Sequence, residues 1–239
     1  MSSITTQFPI VNRALGALER ISTRIRRDFY EIPHLKSPAN RLKFAETSAK
    51  FVLNIVSESL NEDLVLQDID ADKKHWLINP ISGKINLFHG IPSFCVTLSW
   101  CDMGVPKVTV IYDPIQHEMF WATSGFGLFI NQRKIYPVRQ SGLSHSLIHT
   151  KTHIPGVSTL WTGSTHLAAA YLSAGKLDAC IQDKCNFDPA LQLMIEESGA
   201  KCFELESKPN HSLVFAEEDL ANRLADHLQL KIIHHTLKR

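Results

Sequence analysis

The sequence predicts an α+β fold of stacked layers. Three observations carry this expectation. Two long segments near the start repeat apolar residues every three or four positions. A middle region changes to a period of two. The last third alternates helical and strand patterns.

In order along the chain, Val11, Leu15, Leu18, Ile21, Ile25 and Phe29 fall on one helical face. Ala45, Ala49, Val52 and Val56 mark a second helix ending near Leu60. "LVLQDID" (64–70) reads as a short strand running into acids, and Leu77 with Ile78 as another. Phe94, Val96, Leu98 and Trp100 alternate with Cys95, Thr97 and Ser99, the pattern of a half-buried strand. "KVTVIYD" and "EMFWAT" follow, with "DPIQH" as the turn between them; "SGFG" (124–127) turns the chain again before "LFIN". This region reads as an antiparallel meander. Next come a helix from Thr165 to Ala174 closed by Gly175, a strand "LDACIQ", and a helix from Pro189 to Glu197. That helix has Asp188 as its N-cap, Pro189 at N1 and Gly199 beyond its end. "KCFEL", "SLVFA", a helix from Glu217 to Leu228 and "LKIIH" finish the pattern.

Composition bounds the function. The 239 residues are 44% hydrophobic and 21% charged, with a net charge of +1, so the charge balance gives no direct nucleic-acid signal and no membrane signal. The N-terminus is polar and its first helix carries Arg20, Arg24, Arg26 and Arg27, unlike a secretory signal. Five cysteines without a CxxC pair fit a reducing compartment. The expectation is a cytoplasmic protein folded as a single domain over 1–239, with an N-terminal α+β part (1–140) and a C-terminal α/β part (141–239). His145, His149 and His153 are spaced by four, but no neighbouring acid or Cys completes a metal set.

The stretch "WLINPISGKINLFHG" (76–90) concentrates the chemistry. A strand ends in a tight loop and opens a helix, a junction suited to an anion or a metal. Its only charged residue is Lys84. The order of this loop, the meander with "GFGLFINQRKI", then "GSTHLAAAYLSAGKLDACI" and "NFDPALQLMIEESGA" resembles the inositol monophosphatase family, in particular its bacterial extragenic-suppressor (SuhB-type) branch. The likeness runs from about residue 10 to the end of the chain.

The resemblance implies a layered αβαβα sandwich of the inositol monophosphatase and sugar phosphatase type. It implies a Mg²⁺-dependent phosphatase ancestry, in which carboxylates from several loops hold the ions that polarise the phosphate and activate water. Carried over by position, the metal sites fall on Asp68, Asn79, Ile81, Ser82 and Asp188. Asn79 and Ser82 stand where the family has acids; Asp68 and Asp188 remain acids. Lys84 stands at a threonine that positions the attacking water, Glu46 at the acid that helps activate it, and Gly83 and Gln182 at substrate positions. The segment between "LIHTKTHIPG" and "LWTGSTH" is shorter than the family's crossover.

Losing two acids and gaining a cation weakens any Mg²⁺ site, because this hard ion needs charged oxygen ligands. The sequence therefore implies a degenerate metal site with Mg²⁺ held weakly or not at all. The resemblance, with these substitutions, implies a catalytically impaired or inactive protein acting by binding a protein partner, homodimeric and associated with the transcription machinery as members of that branch are. The Lys84 ammonium is expected to stand in for a metal ion between Asp68 and Asp188. The alternative is a phosphatase of inositol monophosphate, or of a related small phosphomonoester, with a reduced metal site.

Overall fold

A computed structural model describes residues 8–60, 65–138, 142–184, 188, 190–206 and 211–235, with side chains up to residue 233. Helices α1 (Pro9–Glu31) and α2 (Pro38–Ser59) open the fold. Each begins with Pro within its first two positions, where a missing N–H costs nothing. Their apolar stripes face each other and the first sheet. Asp28, 1% exposed, fastens the pair: it accepts from Arg24 at 2.7 Å on its own helix and from the Ser48 hydroxyl at 2.7 Å on α2.

The first sheet contains β1 (Val65–Leu66), β2 (Lys74–Ser82), β3 (Cys95–Asp102), β4 (Val105–Asp113), β5 (Glu118–Thr123), β6 (Gly127–Ile130) and β7 (Arg133–Ile135), in that spatial order. The meander from β2 to β7 is antiparallel as expected, while β1 is shorter than 64–70 and pairs parallel to β2. The alternation also holds, with a correction. Val96, Leu98, Val108, Val110, Tyr112 and Trp121 face α1 and α2. The opposite face is not solvent-exposed, since Cys95, Thr97 and Ser99 are all buried. A second helical layer covers them, so the polar positions of the alternation mark an interior hydroxyl seam rather than a wet face. The Ser99 and Thr109 hydroxyls pair at 2.9 Å, and Thr109 Oγ1 donates to the Ala190 carbonyl at 2.9 Å.

That second layer is α4 (Thr165–Ser173) and α5 (Ala190–Glu197). Leu167, Leu172, Leu191 and Met194 pack between Ile111 and Phe120 of the first sheet and Leu213 and Phe215 of the second. The second sheet runs β13 (Ile232–His235), β11 (Lys201–Leu205), β12 (Ser212–Ala216), β10 (Ala179–Asp183), β8 (Leu147–His149), β9 (Ser158–Leu160). Helix α6 (Glu218–Leu228), capped by the Glu217 carboxylate, buries Leu220 and Leu224 against Val214 and Phe203 on its far face. The layers are therefore α1/α2, sheet, α4/α5, sheet, α6, an αβαβα sandwich.

Two local details position the site. Asn79, Pro80, Ile81 and Ser82 belong to β2 rather than to a loop; the pairing with β3 shifts register between Asn79 and Ser82. Pro80 sits in that irregular stretch, where a strand tolerates a residue without an N–H. The turn is confined to Gly83, whose φ of +89° and ψ of 36° lead into the short helix α3 (Lys84–His89). In the second sheet, β8 and β9 run parallel, yet only residues 150–157 join them, and none is helical. Parallel neighbours ordinarily need a crossover of a dozen or more residues. This connection lies in the stretch from "LIHTKTHIPG" to "LWTGSTH" that the sequence reads as short.

Candidate functional site

The end of β2, the elbow at Gly83 and the starts of α4 and α5 meet at one place. Asn86, from α3, fixes the elbow by donating its amide to the Thr162 carbonyl at 2.7 Å, and the Ser93 hydroxyl donates to the same carbonyl at 2.7 Å. The Thr162 hydroxyl in turn donates to the Ser164 carbonyl at 2.8 Å, shaping the turn that starts α4.

A continuous hydrogen-bonded array runs through this junction. The Leu167 N–H donates to Ser164 Oγ at 3.2 Å, which makes Ser164 the N-cap of α4. The Ser164 and Ser82 hydroxyls share a bond of 2.8 Å. Ser82 Oγ lies 3.0 Å from Nδ1 of His166, and His166 Nε2 lies 2.8 Å from Oδ2 of Asp188. The Ala190 N–H donates to the other Asp188 oxygen at 2.9 Å. The donor count is consistent along the whole array: Ser164 receives from Leu167 and gives to Ser82, Ser82 gives to Nδ1, and the Nε2 proton goes to the carboxylate. Burial opposes the charge on Asp188. The His166 hydrogen bond, with the Ala190 N–H, nevertheless holds its carboxyl below the usual range. Beside the array, Cys95 Sγ is 3.6 Å from Ser164 Oγ, and burial pushes its thiol up to about 12, so it is no nucleophile at neutral pH.

A cleft of about 180 Å³ opens next to this array, lined by residues that include Asn79, Pro80, Lys84, Thr97 and Asp188. Thr97 is 2% exposed and its hydroxyl has no hydrogen-bond partner among the described residues.

The expected site residues divide into groups. Asn79, Lys84 and Asp188 share the cleft, and Ser82 joins Asp188 through His166. Gly83 forms the turn itself. The Ile81 side chain is 2% exposed and belongs to the core facing α1 and α2, leaving only its backbone for a ligand. Asp68 is exposed and lines a separate groove with Leu66 to Ala71. Glu46 is exposed on α2 and lines none of the described clefts. Gln182, on β10, lines a cleft of about 80 Å³ with Lys151, Trp161, Asp183 and several hydroxyl residues. Among the described residues Lys84 has no ion-pair or hydrogen-bond partner; the partner of Asp188 is His166.

Among the described residues, no three or more His, Cys, Asp or Glu side chains converge on a point where an ion could sit, His145, His149 and His153 included. Asp188 is the one carboxylate among the residues lining the cleft beside the array, and both its oxygens are engaged. These donors do not form the acid cluster that the family's Mg²⁺ chemistry uses.

His166, Ser164 and Thr97 went unrecognised as site residues in the sequence. His166 lies in "GSTH", at the start of a helix, and nothing local marks its pairing with a serine 84 positions earlier.

The five layers and a strand-to-helix elbow facing two helix starts define a sugar-phosphatase-like α+β protein. A profile of the Inositol monophosphatase family matches residues 38–235, and the chain belongs to that family. It is 28% identical over 227 residues to the Nus factor SuhB of Buchnera aphidicola subsp. Acyrthosiphon pisum, covering 80% of this chain and 84% of that protein. It is 26% identical to the inositol-1-monophosphatase of Rhizobium meliloti, covering 93% of this chain and 97% of that protein. Its fold matches the crystal structure of the extragenic suppressor protein suhB from Bartonella henselae with a TM-score of 0.75 at 21% identity, over 92% of this chain and 98% of that one.

Proposed function

We propose that this family member has lost Mg²⁺-dependent phosphatase chemistry and acts by binding a protein partner, as a homodimer in the cytoplasm. The observation that carries the reading is the state of Asp188. Its two oxygens are held by His166 and Ala190, and the Ser82 hydroxyl beside it stands where the family has a second acid. An imidazole bridges the two positions, and Lys84 adds positive charge to the cleft. The relatives named Nus factor support a partner from the transcription machinery.

A second reading keeps one weakly held Mg²⁺. Four oxygen-bearing side chains, of Gln67, Asn79, Thr97 and Asp188, line one cleft, and the Thr97 hydroxyl lacks a partner there among the described residues. Phosphate release from inositol 1-phosphate in excess Mg²⁺ separates the two. The expected result is no release above the reagent blank. Turnover in the ordinary enzyme range, about 1–10³ s⁻¹, overturns the first reading. The combined change Asn79→Asp, Ser82→Asp, Lys84→Thr and His166→Ala is expected to regain Mg²⁺ binding, read by calorimetry. For the partner, the tagged protein is expected to retain purified RNA polymerase with its elongation factors; no retention rejects that half of the proposal.

A further inference from the structure

We propose that Ser82, His166 and Asp188 form a metal-independent nucleophilic site that takes a small, negatively charged carboxylic ester. Three elements supply the groups: Ser82 ends β2, His166 lies in the first turn of α4, and Asp188 caps α5. The distances, 3.0 Å from Ser82 Oγ to the imidazole and 2.8 Å from the imidazole to the carboxylate, are those of a nucleophile, its base and the group that orients the base. The ring presents Nδ1 to the serine and Nε2 to the acid, the reverse of the usual order, and either nitrogen serves as a base.

The backbone has the matching form. A strand delivers the serine, the next residue turns at a φ of +89°, and a helix follows. Hydrolases carry a nucleophilic serine on a related strand–turn–helix elbow; here Ser82 is the last strand residue, 8% exposed, the turn falls on Gly83, and "PISGK" lacks the leading glycine of their motif. The hydroxyl paired with Ser82, that of Ser164, accepts from the Leu167 N–H and so can point its own O–H at the Ser82 oxygen as that group loses its proton.

The neighbouring cleft, which Asp188 lines and which Ser82 and His166 adjoin only through it, sets the substrate class. Its volume of about 180 Å³ has room for a short acyl group. Lys84, without a carboxylate partner among the described residues, supplies the positive charge on its wall. In the reaction, Ser82 Oγ bonds to the ester carbonyl carbon while its proton passes to His166 Nδ1. That proton then leaves with the alcohol as the ester C–O bond breaks. Water attacks the acyl-serine, gives one proton to Nδ1, and the proton returns to Ser82 Oγ as the acid departs. The sum is ester plus water giving acid plus alcohol, with no oxidant or metal.

A fluorophosphonate is the direct test, because the same attack forms an Oγ–P bond, expels fluoride and moves the serine proton to His166. The full chain is incubated with the probe in EDTA and the adduct located by peptide mass spectrometry. We expect one adduct, on Ser82, absent in Ser82→Ala and formed at least about 100-fold more slowly in His166→Gln, the usual range for loss of a general base. Asp188→Asn retains a helix cap, yet an amide N–H facing Nε2 moves the ring proton to Nδ1 and removes the acceptor for Ser82. It should lose labelling while still unfolding in one cooperative transition. An unlabelled Ser82 in the wild-type protein, or equal labelling rates in His166→Gln, overturns the proposal. The assay contains neither Mg²⁺ nor a partner, so its outcome is independent of the phosphatase and docking experiments.

Discussion

At the scale of single residues, burial decides which polar groups shape stability. His149 is 1% exposed, bonds the Thr162 hydroxyl at 3.1 Å and stacks on Trp161; burial, with Lys151 nearby, pushes its pKa from 6.5 down to about 4. The unfolded imidazole takes up a proton as pH falls below 6.5, while the folded one does not until about 4. Stability is therefore lost across that window as pH falls, by up to about 3 kcal/mol at 1.36 kcal/mol per pKa unit. Urea titrations at pH 7.5 and pH 4.5 should show this loss, and His149→Gln should flatten it. Equal slopes in both proteins would assign the acid sensitivity elsewhere. Asp188 was legible at this scale because Asp before Pro at a helix start is a capping pattern, and its carboxylate does accept from the Ala190 N–H. Pro189 itself lies outside the described residues. His166 was not legible, since its meaning depends on two partners that only the assembled layers bring to it.

At the scale of elements, the elbow rests on Gly83. A Cβ there would meet the Ser93 carbonyl at 2.8 Å, and its φ of +89° is one that other residues rarely adopt. Gly83→Ala is expected to destabilise the protein by about 1–3 kcal/mol, measured by thermal or chemical unfolding. A loss under about 0.5 kcal/mol would show that the elbow relaxes. The N-cap of α4 gives a second check: Ser164→Ala should cost about 1 kcal/mol for the lost cap and more for the Ser82 hydroxyl left short of a partner. The helices and most strands were readable from period alone, because their apolar faces all meet interior layers. The end of β2 was not. Pro80 and Gly83 read as loop punctuation, whereas Pro80 occupies a register shift that keeps the chain extended to Ser82.

At the scale of the whole molecule, the middle helical layer binds the two sheets together. Helix α5 receives the Thr109 hydroxyl bond at one end. At the other, its Glu197 carboxylate accepts the N–H groups of Gly125 and Gly127 at 2.6 and 2.7 Å. With Leu191 and Met194 between the sheets, neither half can be exposed without opening the other. We expect one calorimetric unfolding transition, with a single-transition enthalpy equal to the van't Hoff value. Two resolved transitions would divide the chain near residue 140. Layer order was legible only coarsely from composition and pattern: alternation announced two sheets' worth of strands, but the burial of Thr97, Ser99 and Thr109 required knowing that helices cover both faces. Among the described residues no helix is long and apolar enough to cross a membrane.

The eight-residue connection between β8 and β9 has a consequence for solubility. A chain of eight residues reaches at most about 26–29 Å, and a parallel return must span the length of a strand as well as the step across the sheet. The hop is long enough for that return, and β9, a border strand of its sheet, spans only Ser158–Leu160. A border of three residues offers few open N–H and C=O groups on which a foreign strand could register. With a connection that carries no helix, this border of the sheet depends on the shortness of β9 to be a poor template for aggregation.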